Sequence, residues 1–501
     1  MSELPENQNQ TGAESGANLR DMVRSAVIWR SGTQIFGQLI TWLSTFLVIR
    51  ILNPADYGLY AMTGVVLYLL SLVNGYGLAN AVIQRKTADR QVLRQLFGML
   101  ILMNGALALV QLAIAPLAAL YYQQPLVADM LRVQALLYIC NPFMALGYAV
   151  LARSMEFRRQ AQVNLLSAVA GAIAALAGAL SGLGVWTLVF APLVLFGTRA
   201  VGMTIAAKSL IRPSFDFTGA WAMASFGGFM TLAQLFWFLQ TQTDVFIAGR
   251  LFSPHLLGIY TTSLFLVQMF VTKFVPPINE VAFAAYARIQ DDSRAIADAF
   301  LKSVRIIFLA AIPFCLGLSA TAETVVPVVL GAKWLEAAPV IHLLGFAMPF
   351  MALVVLYGPA VSAIGKPQVY LRMCIVGAVL MTAAYWIGIQ SGIIGLSLAW
   401  IAGYALLTLF TSRIVLPHFG VTARELIGAL APPVLAGAAM YGAVRGISAA
   451  MEMEPSIAWL ALQVLAGGAV YAIAIQIVAR ERIAEILDLV LRRRSAPPAA
   501  A

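Results

Sequence analysis

The chain has 501 residues, of which 61% are hydrophobic and 11% charged, and its mean hydropathy is +0.85. So few charges cannot cover a soluble domain of this size, which excludes the soluble classes and puts the chain in a membrane. The net charge of +10 would suit nucleic acid, but the basic residues are spread among the segments between apolar runs, so no nucleic-acid partner is expected.

The first residues are polar, with Glu3, Glu6, Glu14 and Asp21. No short apolar run there ends in a cleavage site, so no removable signal is expected and the first helix should direct insertion. A membrane span needs about 20 apolar residues. On that basis fourteen helices are predicted, near 27–49, 58–83, 96–120, 132–151, 163–181, 185–206, 223–249, 257–287, 303–322, 338–363, 368–388, 393–412, 424–444 and 456–478. With the N-terminus in the cytoplasm, the inner ends collect Arg85, Lys86, Arg90, Arg94, Arg153, Arg158, Arg159, Arg288, Arg294, Lys302, Arg305, Lys366, Arg372, Arg413, Arg424 and Arg492 to Arg494. Only Arg50, Arg132, Arg250, Lys333 and Arg445 fall outside, as the positive-inside rule requires, so both termini are expected in the cytoplasm. The connection from Arg288 to Lys302 is amphipathic and is expected to lie along the membrane surface. Cys140, Cys315 and Cys374 are far apart in apolar stretches and read as small buried hydrophobes.

Residues 34–60 recur at 234–260. Gln34, Phe36, Leu39, Thr41, Phe46, Arg50, Pro54, Gly58 and Tyr60 match Gln234, Phe236, Leu239, Thr241, Phe246, Arg250, Pro254, Gly258 and Tyr260, without a gap. Each copy ends one apolar helix with arginine, turns through proline and glycine, and opens another. The repeat restarts at the seventh helix, so each unit holds six and both enter the membrane in the same direction. Two lobes related by a pseudo-twofold axis along the membrane normal follow, an architecture of transporters that open a site to alternate sides. The expected organisation is a polar cytoplasmic segment (1–26), an N-lobe (27–220), a C-lobe (221–420), two further helices (421–480) and a basic cytoplasmic tail (481–501). The fold class is therefore an all-α integral membrane protein.

No loop is long enough for a soluble domain. Gly365-Lys366 is followed by Pro367 and is not a nucleotide loop, and His255, His342 and His418 are scattered, without a His-Glu-x-x-His motif. An ATP-driven pump or a metal enzyme is thereby disfavoured. No cofactor is expected.

Polar side chains that survive in lipid face a cavity or another helix. Helix one carries Arg30, Gln34, Gln38, Thr41 and Thr45 on one face, and helix seven repeats this with Thr231, Gln234, Phe238, Thr241 and Asp244. They form either two walls of a central space or interhelical hydrogen bonds. Helices two and eight are interrupted at matching places, around Asn74, Gly75, Gly77 and Asn80 in the first and Pro276, Pro277, Asn279 and Glu280 in the second. Glycines loosen a helix and prolines kink it, so these breaks mark a transport site or a hinge. Lys273 and Arg30 could meet an anionic head group there, or snorkel to the inner surface. Arg50 and Arg250 are read as closing their helix C-termini. Gly178/Gly182, Gly388/Gly392 and Gly442/Gly446 have the spacing of close helix packing.

The stretch Arg50-Ile-Leu-Asn-Pro-Ala-Asp-Tyr-Gly-Leu-Tyr resembles the first-helix exit of bacterial polysaccharide transporters, the Wzx-type oligosaccharide flippases. Met155-Glu-Phe-Arg-Arg-Gln-Ala, Gly184-Val-Trp-Thr-Leu-Val, the span from Asp244 to Tyr260, and Ile289-Gln-Asp-Asp are similar to later signatures of that family. The resemblance runs from about Arg24 to Leu416. It implies twelve core helices in two lobes plus two more, in a bacterial inner membrane. It also implies translocation of an undecaprenyl-pyrophosphate-linked oligosaccharide for exopolysaccharide or lipopolysaccharide synthesis, by alternating access and without covalent chemistry. Lipid-linked oligosaccharide and membrane lipid are then the partners, with a polysaccharide polymerase and a chain-length regulator as candidates. The alternative is a cation-coupled multidrug exporter of the same superfamily, for which Asp244 and Glu280 would be the acids. A polymerase or glycosyltransferase would need a large outer loop or a catalytic domain, and neither is visible.

Overall fold

In lipid every backbone polar group must be satisfied internally, which leaves helices for a chain whose apolar runs are separated by Pro, Gly and Ser. A computed structural model describes residues 36–72, 90–216, 228–290, 292–451 and 453–491, and no strand occurs among them. The helices in chain order are α1 (Phe36–Ile51), α2 (Pro54–Ser71), α3 (Arg90–Tyr122), α4 (Pro125–Gln134), α5 (Leu137–Arg153), α6 (Phe157–Leu180), α7 (Val185–Ala207) and α8 (Gly228–Leu251). They continue with α9 (Pro254–Lys273), α10 (Val275–Arg288), α11 (Ser293–Ala320), α12 (Ala337–Ala363), α13 (Pro367–Gly388), α14 (Gly392–Phe419), α15 (Ala423–Ala450) and α16 (Ile457–Leu491). Ten helical stretches among the described residues are long and apolar enough to cross a membrane, one of them the 53-residue α13–α14 pair. The described part of α1 is shorter, and α8 is not in that set; it carries Gln234, Gln240, Gln242 and Asp244.

The chain divides into two units. Of the described residues, those up to Asn53 together with those between Val66 and Gly228 form the first, and Pro54–Val65 together with those from Phe229 onward form the second. In the first, Leu96, Phe97 and Leu100 of α3 pack on Ala145, Leu146 and Ala149 of α5. The extended segment after α7 closes over the start of α3, where the Ser214 amide donates to the Arg94 carbonyl at 2.9 Å. A side chain at Gly98 would overlap the Ser214 carbonyl, so this strap requires glycine. Polar groups are paired across helices: Gln111 Nε2 donates to the Leu131 carbonyl at 2.7 Å, and Asn141 Nδ2 to Asn104 Oδ1 at 3.2 Å.

In the second unit α12 is the most buried helix, packed by α9, α11 and α14. Phe300 stacks on Tyr357 with centroids 5.7 Å apart, and Tyr357 Oη hydrogen-bonds Ser412 Oγ at 2.7 Å. α15 and α16 pair with each other and with α11, where Tyr471 Oη donates to the Leu309 carbonyl at 2.9 Å. The start of α15 is a capping box: the Glu425 amide donates to Thr422 Oγ1 at 3.3 Å and the Thr422 amide to Glu425 Oε2 at 2.8 Å.

Two local expectations are corrected. Residues 293–302 do not form a separate surface helix; they are the first turns of α11, 28 residues without interruption. Asp292 caps it by accepting from the Arg294 and Ala295 amides, and no glycine or proline follows until Pro313, so nothing breaks the helix between the polar and apolar parts. At about 42 Å it exceeds the roughly 30 Å hydrocarbon core, which leaves its charged start outside. The second correction concerns the glycine spacings. Gly178 lies against Thr187 and Gly388 against Ala399, but their partners Gly182 and Gly392 have no neighbour within 4 Å, nor have Gly442 and Gly446. We therefore expect Gly442→Ala with Gly446→Ala to hold or raise thermal stability, by up to about 1 kcal/mol per site from helix propensity. A clear fall in melting temperature would show that this face is packed.

The two copies of the repeat fold alike at their turns. α1 ends at Ile51 and α2 opens at Pro54; α8 ends at Leu251 and α9 opens at Pro254. Proline suits a first helical position because its missing amide has no helical partner there, and Ser253 Oγ caps α9 by accepting from the Leu256 amide. Within the second unit the starts of α2 and α9 meet. A Cβ on Gly58 would overlap the Pro254 carbonyl oxygen, and one on Gly258 would overlap that of Pro54. Tyr57 supports the crossing edge-on to the buried Trp334, centroids 5.5 Å apart. The shared glycines thus record a reciprocal backbone contact. Arg50 and Arg250 are exposed in the last turns of α1 and α8.

Candidate substrate pockets

Each unit has a cavity with polar side chains on its wall. In the first, α1, α5, α6 and α7 surround about 420 Å³. Gln38 and Thr41 reach it from α1, Gln160 and Asn164 from α6, Tyr148 from α5 and Arg199 from α7. Small residues make the room: Gly37 and Ala168 belong to the wall, and Gly171 and Gly202 let α6 and α7 approach closely. Arg199 is the one charged residue of the otherwise apolar Val185–Ala207 helix. Its Nε donates to Ser167 Oγ at 3.2 Å, and its guanidinium sits 5.7 Å from the centroid of Phe196. Among the described residues no acidic side chain lines this pocket.

The second cavity, about 580 Å³, is bounded by α8, α10, α12 and α13. Gln234, Trp237 and Gln240 line it from α8, Pro276, Asn279 and Glu280 from α10, and Tyr370 from α13. Asn279 Nδ2 donates to the Val355 carbonyl of α12 at 3.4 Å. The expected interruption of this span is at Phe274, between α9 and α10, two residues before the prolines. Pro276 and Pro277 therefore open a new helix, since neither can donate back to the turn before it. The two pockets differ in sign: the first carries an arginine, the second a glutamate.

The residues singled out from sequence distribute as follows. Gln38 and Thr41 are on the first pocket, and Gln234, Asn279, Glu280 and Pro276 on the second. Thr41 and Thr241 each bond a carbonyl of their own helix, of Gly37 and Trp237, and Thr241 does not reach the second pocket. Lys273 is the exposed last residue of α9 and Pro277 is exposed beside it; neither lines a pocket. Arg30, Gln34, Asn74, Gly75, Gly77 and Asn80 lie outside the described residues. Asp244 is on no pocket wall. It is fully buried, and its Oδ2 accepts from Tyr260 Oη at 2.7 Å and from Trp400 Nε1 at 3.2 Å. Gln160, Asn164 and Arg199 are not among the site residues that the polar stripes and breaks point to, although an arginine inside an apolar span is a signal that sequence offers. Among the described residues no three His, Cys, Asp or Glu side chains gather as metal ligands.

Residues 47–339, over half of the chain, match the model of a family described as polysaccharide biosynthesis protein. The chain belongs to that polysaccharide biosynthesis protein family. It is 24% identical to the succinoglycan biosynthesis transport protein ExoT of Rhizobium meliloti (strain 1021), over 95% of this chain and 97% of the relative. It is 22% identical to the lipopolysaccharide biosynthesis protein WzxC of Escherichia coli (strain K12), over 82% of this chain and 84% of the relative. In fold it is similar to the lipid II flippase MurJ in an inward closed conformation, with a TM-score of 0.73 at 13% identity, covering 91% of this chain and all of that one. This member of the family is an all-helical, multi-pass membrane protein among its described residues.

Proposed function

We propose that the chain is a flippase that moves an undecaprenyl-pyrophosphate-linked oligosaccharide across the bacterial inner membrane for exopolysaccharide or lipopolysaccharide synthesis. The observation that carries this is the first pocket: a half-buried arginine and three amide side chains on one cavity wall, in a chain of this family. Glutamine and asparagine both donate and accept, which matches sugar hydroxyls in any orientation. A guanidinium binds phosphate oxygens through two parallel hydrogen bonds. A cavity of 420 Å³ holds a pyrophosphate with the first sugar, while the polyprenyl tail stays in the bilayer. Nothing covalent changes.

In this reading fourteen helices form two six-helix lobes under pseudo-twofold symmetry plus two more, with both termini cytoplasmic, and transport proceeds by alternating access. The breaks at Gly75, Gly77, Pro276 and Pro277 act as hinges, and Arg30, Gln34, Asn74, Asn80 and Lys273 extend the binding surface. A polysaccharide polymerase and chain-length regulator take up the product. The transport and biosynthesis roles in the relatives' names agree with this assignment. The test is a deletion strain analysed for surface polysaccharide and for the sidedness of lipid-linked precursors. Complete repeat units stranded on the cytoplasmic leaflet are expected; normal polymer with altered sensitivity to cationic drugs would favour the multidrug exporter.

A further inference from the structure

The second cavity, at about 580 Å³, has the size of a small-molecule site, yet among the described residues its wall carries a glutamate and no base, which does not suit pyrophosphate. Its polar groups sort into those the protein already uses and those it does not. Asn279 donates to the Val355 carbonyl. Gln240 is pinned: its carbonyl accepts from Tyr385, its side chain donates to Tyr404 at 3.5 Å, and a Cβ on Gly377 would overlap its amide oxygen. Gln234 and Trp237 of α8 and Glu280 of α10 differ. All three line the cavity, Gln234 and Glu280 exposed and Trp237 half-buried. Among the described residues none of their side chains makes a hydrogen bond or an ion pair. Gln234 and Trp237 are three residues apart and so share one face of α8. Phe283, three residues after Glu280, adds aromatic surface, as does Tyr370, which lies across Gly358 with a ring carbon 3.0 Å from where a Cβ would stand. The repeat sharpens the contrast. Gly37 lines the first pocket and Trp237, at the matching position, lines the second, so one copy makes room where the other presents an indole.

We propose that the second cavity is a subsite for an uncharged sugar ring stacked on Trp237, with its hydroxyls on Gln234, Glu280 and the indole N–H. A pyranose has a face of C–H groups, which packs on an aromatic ring, and a rim of hydroxyls, each needing a donor or an acceptor. The unused groups supply both. The Gln234 amide donates and accepts, the Trp237 indole donates, and the Glu280 carboxylate accepts from two neighbouring hydroxyls at once. A phosphate or a uronic acid is repelled by Glu280, with no described base on the wall to offset it. A lipophilic cation would satisfy the carboxylate alone and leave Gln234 and the indole N–H without partners. The subsite rests on the flippase reading and deepens it. Its sugar is one of the repeat unit beyond the sugar joined to pyrophosphate, and Glu280 sets a preference for neutral glycans at that place.

The test measures binding of two probes to the full chain in phosphatidylcholine nanodiscs: the host strain's own lipid-linked repeat unit, and the same lipid trimmed to its first sugar. The natural protein is expected to bind the complete unit more tightly. Trp237→Leu, which keeps bulk without a ring, should weaken the complete unit about tenfold and leave the trimmed lipid within about twofold. Trp237→Tyr should recover part of that loss. Should Trp237→Leu fail to fold, Glu280→Ala alters an exposed side chain without a described partner and should show the same selective loss. Equal affinities of the natural protein for the two probes overturn the subsite, as do variants that weaken both probes alike or neither. Binding of tetraphenylphosphonium that Glu280→Ala abolishes also overturns it, in favour of a cation pocket. A natural protein that binds neither probe defeats the flippase reading itself, and the subsite with it.

Discussion

Arg199→Glu is expected to abolish surface polysaccharide while the protein remains in the membrane at its normal level. The side chain is half-buried in a cavity whose other described polar groups are neutral, so reversal puts a carboxylate where a phosphate must enter. Removing one partner of a desolvated charge pair costs about 2–5 kcal/mol, and 2 kcal/mol is already roughly 30-fold in affinity. Arg199→Gln should lose most of the transport for want of the charge. Arg199→Lys should keep part, because an ammonium attracts phosphate without the two-pronged geometry. Precursor sidedness in complemented deletion strains separates the outcomes, with blotting of membranes as the control for folding. Wild-type polymer from a well-expressed Arg199→Glu protein would remove this pocket from the transport path.

Gly258→Val is expected to be the most damaging single substitution in the second unit, with Gly58→Val close behind. In each case the new Cβ falls on a backbone carbonyl of the opposite helix, and backbone cannot move aside as a flexible side chain can. The helix starts must separate, which also pulls Tyr57 from Trp334. Overpacking commonly costs about 1–3 kcal/mol and occasionally more, and a clash against backbone belongs at the top of that range. Because both glycines serve one contact, Gly58→Ala with Gly258→Ala should cost clearly less than the sum of the two single changes. Thermal unfolding in detergent measures this; additive losses would mean that the two positions act on separate contacts.

Much of the architecture can be read from residue order because lipid leaves the backbone few options. Apolar runs bounded by Pro, Gly and charge locate α7 and α12 to within a residue, and they catch α6 and α15 with one end of each cut short; the match of Pro54 to Pro254 reproduces the same helix–turn–helix twice. The reason for the repeated glycine is less visible. Gly58 and Gly258 look like turn residues, and only the fold brings each against the other copy's proline. α11 shows the limit of reading polarity as a boundary, since a helix continues through a change from charged to apolar unless something breaks it. The pockets were legible in part. Periodicity picks out Gln38 and Thr41 on α1, but their companions on α6 and α7 come from segments more than a hundred residues away. Gln160 also adjoins Arg158 and Arg159 and so passes for part of a helix end. Asp244 stands out in sequence as an acid within a polar stripe, yet its partners Tyr260 and Trp400 are 16 and 156 residues distant. Sequence spacing alone cannot distinguish a cavity wall from that buried cage.

The most direct test of the flippase assignment uses the purified chain in lipid vesicles carrying a polyprenyl-pyrophosphate-linked oligosaccharide, whose sugar is probed with an impermeant lectin or glycosidase. Protein-dependent transfer of the sugar to the opposite leaflet, lost in Arg199→Glu, is the predicted result. Transfer no faster than in protein-free vesicles, from protein shown to be folded and inserted, would contradict it.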